Sequence, residues 1–380
     1  MNIVFLKTTA SYGHLFNATN KKTQLLAKGL TACGDRVTIH NGIEGIIGIT
    51  EEERYDEAGT GNVISYPHRK IRILEPIANY NKLRRDLKSI YVPGEKNLII
   101  LLSPYYHIYL EYQLIARTLG YKIAVISHEW LPTLNHPTIL HRALRKIYSK
   151  LFGYGVDAIL PISDYIIEKV SHFDKPILKT PVLGEFPPID SIGNHSSGFV
   201  YCGSIDYERA FMTLVDAYEI YVSKNKDPYP LTLVLSGRQD RIAETRLKIS
   251  KQNHGKINIV SGISYTELYN LYKAAVALLL PLDPENIQDR ARFSQKIAEY
   301  VATGTPMITN PVGEICNYFS DRKSAIINQF SPEGFAESME WIATHTDEGI
   351  RIGREGWNIG NREFNYLTFG ERLHSFLESI

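Results

Sequence analysis

The chain has 380 residues, of which 44% are hydrophobic and 22% charged, and its formal net charge is +1. That balance describes a folded globular protein and excludes a disordered tail, a general nucleic-acid binder and a partner held by overall charge. Three cysteines, Cys33, Cys202 and Cys316, stand far apart without metal-ligand spacing, which points to packing roles in a reducing compartment. The length suits two domains of roughly 150 to 190 residues each. No apolar run approaches the ~20 residues of a membrane span. The opening MNIVFLKTT lacks a basic leader and a cleavage motif, so it reads as a first strand of a cytoplasmic protein.

In chain order, residues 2–6 read as a buried strand, 8–14 as a small polar loop containing Gly13, 17–32 as a helix and 36–40 as a second strand. This is the βαβ opening of a doubly wound sheet, in which ligands gather at the carboxyl ends of strands. The loop lacks G-x-G-x-x-G spacing, so a dinucleotide fingerprint is absent. Gly13 either admits a ligand close to the backbone or turns the chain. Residues 42–76 are irregular, with acids at Glu51 to Glu53 and loop formers at Gly59, Gly61 and Pro67. Alternation resumes with a strand at 97–102, a helix at 107–119 and a strand at 122–126 that ends in Ser127-His128-Glu129-Trp130. His128 at that rim either orients a sugar or acceptor hydroxyl or serves the fold alone.

Over 140–152, Leu140, Leu144, Ile147, Tyr148 and Leu151 share one helical face, while Arg142, Arg145, Lys146 and Lys150 occupy the other without an acid among them. Such a helix either packs on the core with a basic back in water or lies on an anionic membrane surface. A strand at 157–161 and a helix at 163–172, capped by Ser163, follow. Residues 181–198, with Pro187, Pro188 and Gly193, have linker composition and set the domain boundary.

The second alternation has strands at 199–202, 231–235, 257–260 and 276–280 and a helix at 209–223. Its strands end at Gly203, at Ser236-Gly237-Arg238 and at Ser261-Gly262. Strands that repeatedly end in glycine before a helix suggest a second parallel sheet with its ligand loops along one edge. Asp283 and Glu285 form an acidic pair without a third ligand, which reads as solvated, so no metal is expected. Helical patterns predominate beyond Phe330.

The stretch 292–308, RFSQKIAEYVATGTPMI, carries the most chemistry. Ser294 is a good N-cap, a helix runs from it to Thr303, and Gly304 with Pro306 stops it. Ile297, Tyr300 and Val301 share a buried side, whereas Lys296, Glu299 and Thr303 lie on a neighbouring stripe that can face a cleft. Amides at the helix start, with Arg292 and Lys296 beside them, attract a phosphate or diphosphate. Glu299, one turn deeper, can accept hydrogen bonds from sugar hydroxyls.

Lys296 and Glu299-Tyr300, followed by Ala-x-Gly-x-Pro and an apolar strand, resemble the signature of family-4 glycosyltransferases of the GT-B fold. The string AILPISDYIIEKV resembles the strand, serine and helix that close the first half of such enzymes. The resemblance implies an α/β fold of two doubly wound Rossmann-like domains facing each other across a cleft. It places the acceptor over residues 1–185, with the helix 363–380 crossing back to them, and the nucleotide sugar in 197–362.

Gly203-Ser204 with Arg209 resembles the family's glycine turn and its basic residue. By resemblance, Gly203, Ser204, Arg209, Gly237, Arg238, Arg292, Phe293, Ser294, Lys296 and Glu299 bind the donor, with Glu299 on the ribose. Arg209, Lys296 and His128 serve catalysis, and Gly13, His14 and His128 lie on the acceptor side. Many members carry a second Glu where this chain has Ala291. Arg292, Phe293 and Lys296 instead fit a subgroup that reads ArgPhe-x-x-Lys there.

The implied reaction transfers sugar with retention from a UDP- or GDP-sugar to a glycan or lipid-linked acceptor. It needs neither metal nor cofactor and belongs to cell-surface polysaccharide synthesis. The expected partners are that donor and acceptor and, through 139–152, the inner membrane face; nucleic acid is not one of them. No Ser-His-Asp order, H-E-x-x-H or P-loop competes. A nucleotide-sugar epimerase of the same fold and a non-catalytic nucleotide- or glycan-binding subunit are the alternatives.

Overall fold

The computed structural model describes residues 1–7, 18–42, 46, 49–57, 59–67, 75–102, 106–130, 139–188, 197–252 and 257–380. These divide into two compact units. The first is Met1–Leu183 with Ala291–Gln295 and Asn365–Ile380; the second is Gly184–Arg290 with Lys296–Phe364.

The first unit runs β1 (Asn2–Lys7), α1 (Ala18–Ala32), β2 (Arg36–His40), β3 (Glu53–Glu57), β4 (Gly61–Ser65), α2 (Glu75–Ile90) and β5 (Asn97–Leu102). Then follow α3 (Tyr106–Thr118), β6 (Lys122–Ser127), α4 (Ile139–Leu151), β7 (Ala158–Pro161) and α5 (Asp164–Val170). Its sheet has the order β3-β4-β2-β1-β5-β6-β7. Only β3 is antiparallel to its neighbour. Both β1 and β5 are buried along their whole length, and the apolar runs Ile3–Leu6 and Leu98–Leu102 within them suit a parallel sheet covered on both faces.

The irregular reading of 42–76 is corrected here, because β3 and β4 form a hairpin inside it. The strand β3, ERYDE, is a largely exposed edge whose charges hide it from apolar patterning. Its Arg54 reaches Asp86 of α2 at 2.7 Å, and Tyr66 Oη donates to the same carboxylate at 2.7 Å. Burial raises the Asp86 pKa, but the His40 ring, whose Nε2 lies 3.7 Å away, the Tyr66 hydrogen bond and the Arg54 guanidinium override it and hold the carboxyl at about 2.

The second unit holds β8 (Phe199–Ser204), α6 (Glu208–Lys224), β9 (Leu231–Ser236), α7 (Gln239–Gln252), β10 (Ile257–Val260), α8 (Tyr265–Ala274) and β11 (Ala277–Leu280). The chain continues through α9 (Ile287–Ala291), α10 (Gln295–Val301), β12 (Met307–Thr309), α11 (Ile315–Tyr318), β13 (Ile326–Ile327), α12 (Pro332–Thr344) and α13 (Thr346–Glu363). All described pairs of this sheet are parallel, in the order β10-β9-β8-β11-β12-β13. Phe199, Phe211, Leu233, Leu279 and Phe335 anchor its core.

The last helix, α14 (Tyr366–Ser379), belongs to the first unit and lies on α1. A Cβ on Gly370 would fall 2.6 Å from the Cα of Gly29, so glycine lets the two backbones touch. In both sheets the strand order reverses beside the first strand, between β1 and β5 and between β8 and β11. Such switch points open crevices outside the strand ends.

Of the apolar stripe of α4, only Tyr148 is buried. Ile139, Leu140, Ile147 and Leu151 are 76, 66, 56 and 55% exposed, and the helix is seated instead through buried Tyr148 and Ser149. Tyr148 meets Tyr109 of α3 edge to face at 5.3 Å, and α3 itself exposes Leu110 and Leu114. No described helix is long and apolar enough to cross a membrane.

Candidate functional site

The switch point of the second unit gathers half of the donor residues expected from sequence: Gly203, Ser204, Arg209, Lys296 and Glu299. Lys296, on α10, donates from Nζ to the Cys202 carbonyl at 2.9 Å and lies 5.6 Å over the Tyr201 ring. One turn on, the Tyr300 hydroxyl accepts from the Cys202 amide at 3.2 Å. Both backbone groups of Cys202, the residue before Gly203, are thus held by side chains of α10. A Cβ at Gly203 would fall 2.1 Å from the buried Tyr201 hydroxyl, so this strand end is left bare. Ser204 fixes the following turn by accepting from the Asp206 amide at 3.2 Å.

Arg209, in the first turn of α6, is exposed on the same edge. Its Nη1 lies 2.8 Å from Asp283 Oδ2 and 2.6 Å from Glu285 Oε2, and its guanidinium lies 5.6 Å over Phe330. The acidic pair expected to be merely solvated therefore holds a cation at the end of β11. Glu285 is exposed, but Asp283 is buried and its own amide donates to Asp289 at 3.1 Å.

Glu299 is only 8% exposed. Burial raises the pKa values of the Tyr265, Tyr272 and Tyr300 phenols, and the Glu299 carboxylate raises them further.

Other expected residues fall differently. Gly237, with φ of 125°, turns the chain after β9 against Ile205, and Arg238 is exposed and paired with Asp240 at 3.1 Å. Thr303 leaves the predicted stripe, because α10 ends at Val301 and the buried Thr303 hydroxyl donates to the Tyr300 carbonyl at 2.6 Å. With seven residues, α10 carries a weak dipole, and the charge at its start is mainly that of Lys296.

Arg292, Phe293 and Ser294 belong to the short segment Ala291–Gln295 of the first unit. Ala291 and Phe293 are buried there, and the Ala291 carbonyl accepts from Ser163 Oγ at 2.5 Å. His128 follows β6 in the first unit, and its Nε2 is buried without a hydrogen-bond partner among the described residues. Burial, then the charge of Lys22, pushes its pKa well below the ordinary value. Gly13 and His14 lie outside the described residues.

Sequence reasoning missed Tyr201 and Tyr300 as supports of Cys202, and Asp283 and Glu285 as partners of Arg209. An available signal was the position of Asp283 just past β11, opposite a basic residue that also follows a strand end. A separate pocket of about 570 Å³ lies at the edge of this unit, between residues such as Asp321, Arg322, Asn328 and Glu337. None of the expected donor residues lines it.

Residues 196–345 match the family model described as glycosyl transferases group 1. No curated protein sequence matches the chain. Among solved structures, it is similar to a sucrose-phosphate synthase from Thermosynechococcus elongatus, with TM-score 0.76 and 14% identity over 100% of this chain and 99% of the other. HepE from Anabaena in complex with UDP is similar at TM-score 0.70 and 12% identity, over 100% of both chains. A glycosyltransferase from Rickettsia africae ESF-5 is similar at TM-score 0.70 and 13% identity, over 99% and 98%. At these identities the likeness is one of fold.

Proposed function

We infer that this chain, which has the GT-B fold of two Rossmann-like domains and carries a glycosyl transferases group 1 domain over residues 196–345, is a glycosyltransferase that uses a nucleotide diphosphate sugar. The observation that carries the reading is the set at the ends of β8 and β11: two cations, Arg209 and Lys296, a bare glycine and the buried Glu299. Arg209 and Lys296 would stabilise negative charge growing on the departing diphosphate, and Glu299 would accept hydrogen bonds from the ribose. Exposed Glu285 would yield its place on Arg209 to the diphosphate.

Two positive side chains can do the work often given to a divalent ion, so the reaction is proposed to need neither metal nor cofactor. The acceptor is proposed to attack from the face that the nucleotide leaves, giving retention, and the leaving phosphate oxygen takes the acceptor proton. The donor is a UDP- or GDP-sugar. Structures of HepE with UDP and with UDP-glucose favour uridine donors as the first to test. His128 is assigned to the acceptor side.

The acceptor is proposed to be a glycan or lipid-linked glycan of cell-surface polysaccharide assembly, met at the cytoplasmic membrane face. The support is α4, whose exposed apolar stripe lies beside Arg142, Lys146 and Lys150. Apolar side chains can enter the interface while the basic ones meet anionic headgroups.

Thermal shifts with UDP, GDP and their sugars, followed by product analysis with and without glycan acceptors, test the assignment. Stabilisation by one nucleotide and acceptor-dependent release of it are expected. Epimerised donor formed without acceptor would identify the epimerase instead, and binding with background release would identify a non-catalytic subunit.

A further inference from the structure

The strands β8 and β11 part company within the sheet. β8 pairs with β11 only as far as Tyr201 opposite Leu279, yet it stays paired with β9 to Ser204, and β11 stays paired with β12 to Leu280. The amides of Phe199 and Ile205 point to the β9 side and that of Leu278 to the β12 side. By alternation, Cys202 turns its backbone groups towards β11, while Leu279 and residue 281 face β8. In that register the next rung would need an N–H at 281, and Pro281 has none. The parting leaves the Cys202 carbonyl without a strand partner, and Lys296 Nζ takes it at 2.9 Å.

The Tyr300 hydroxyl stands in the fork. It accepts from the Cys202 amide at 3.2 Å and donates to the Leu279 carbonyl at 3.5 Å, so its lone pair and its proton serve different strands. The side chain is fully buried, and its ring meets Tyr272 edge to face at 4.9 Å. A position that needed only bulk would be better filled by Phe, because a buried hydroxyl is costly unless it is bonded. Here it is bonded to the two strand ends that bound the crevice.

We propose that Tyr300 is a positioning residue for the donor: its hydroxyl wedges β8 from β11 and so holds the Gly203-Ser204 turn and Lys296 where they receive the diphosphate. This rests on the donor reading of the site and deepens it. Without the hydroxyl, the Cys202 amide can close onto the Leu279 carbonyl, which draws the strand end inward and shifts the carbonyl on which Lys296 is seated. Glu299 stays on α10, so its hold on the ribose is kept.

Calorimetric affinities of UDP and of uridine for the wild type, Tyr300→Phe and Tyr272→Phe test this. In the wild type UDP should bind far more tightly than uridine. Tyr300→Phe should weaken UDP about tenfold and leave uridine within about twofold. A hydroxyl that served the fold alone would lower the melting temperature and leave the ratio of the two affinities unchanged, and that result overturns the proposal.

Tyr272→Phe removes a buried hydroxyl that has no hydrogen-bond partner among the described residues, so the ratio should stay as in the wild type. An equal loss there would also overturn the wedge. Should Tyr300→Phe not fold, Tyr300→Met is read in the same way. Wild-type UDP binding no tighter than that of uridine would instead strike the donor assignment, so the two failures are distinguishable.

Discussion

The membrane contact proposed for α4 can be given a magnitude. Ile139, Leu140, Ile147 and Leu151 are exposed by 76, 66, 56 and 55%, equivalent together to about two and a half whole side chains. At ~2 kcal/mol for complete transfer of each side chain, and with about half the face immersed at an interface, roughly 2.5 kcal/mol follows, a partition gain of about 70-fold. Replacing Leu140 and Leu151 with Ser removes about half of that, so binding should fall roughly eightfold. Because neither side chain is packed in the core, the melting temperature should barely change, which separates a surface effect from unfolding.

Cosedimentation with vesicles of phosphatidylglycerol and phosphatidylcholine, against phosphatidylcholine alone, gives the measurement. Binding should need the anionic lipid and weaken with salt, and changing Arg142 and Lys146 together to Gln should lower it only on the anionic vesicles. Equal pelleting with both lipids, or no response to the Leu140 and Leu151 substitutions, would refute the argument.

Three further outcomes are expected. Glu299→Ala should weaken UDP or GDP binding by about 1–3 kcal/mol, roughly 5- to 150-fold by calorimetry, the cost of leaving ribose hydroxyls unpaired; unchanged affinity would remove Glu299 from the site. Arg209→Ala or Lys296→Ala should lower kcat by about 100-fold while nucleotide affinity falls much less, because their charge acts chiefly on the departing diphosphate. Parallel losses in both quantities would contradict that role.

In the Asp86 cluster the folded pKa of about 2 lies below the ordinary carboxylate value, so its stabilisation is complete above about pH 4 and vanishes as pH falls through 2. Asp86→Asn should therefore cost about 2 kcal/mol at neutral pH in denaturant titrations and flatten the acid limb. An unaltered acid limb would show that the network does not set it.

Much of the architecture follows from local chemistry. Strands such as NLIILL are apolar after their first residue because a parallel sheet is covered on both faces, and the alternation of such strands with helices announces two doubly wound sheets. Lys296 and Glu299 along a short helix, with Gly304 and Pro306 past its end, mark the donor candidates in the same way, since three and four residues bring side chains to one face.

Local patterning fails where partners come from distant strands. Arg209 meets Asp283, and Lys296 meets the Cys202 carbonyl, because β8 and β11 are neighbours, and that adjacency belongs to strand order. The strand β3 escaped detection because an edge needs no apolar alternation. For α4 the sequence left open whether the apolar stripe packs on the core or meets an interface, since periodicity tells which residues share a side and packing alone decides what covers it.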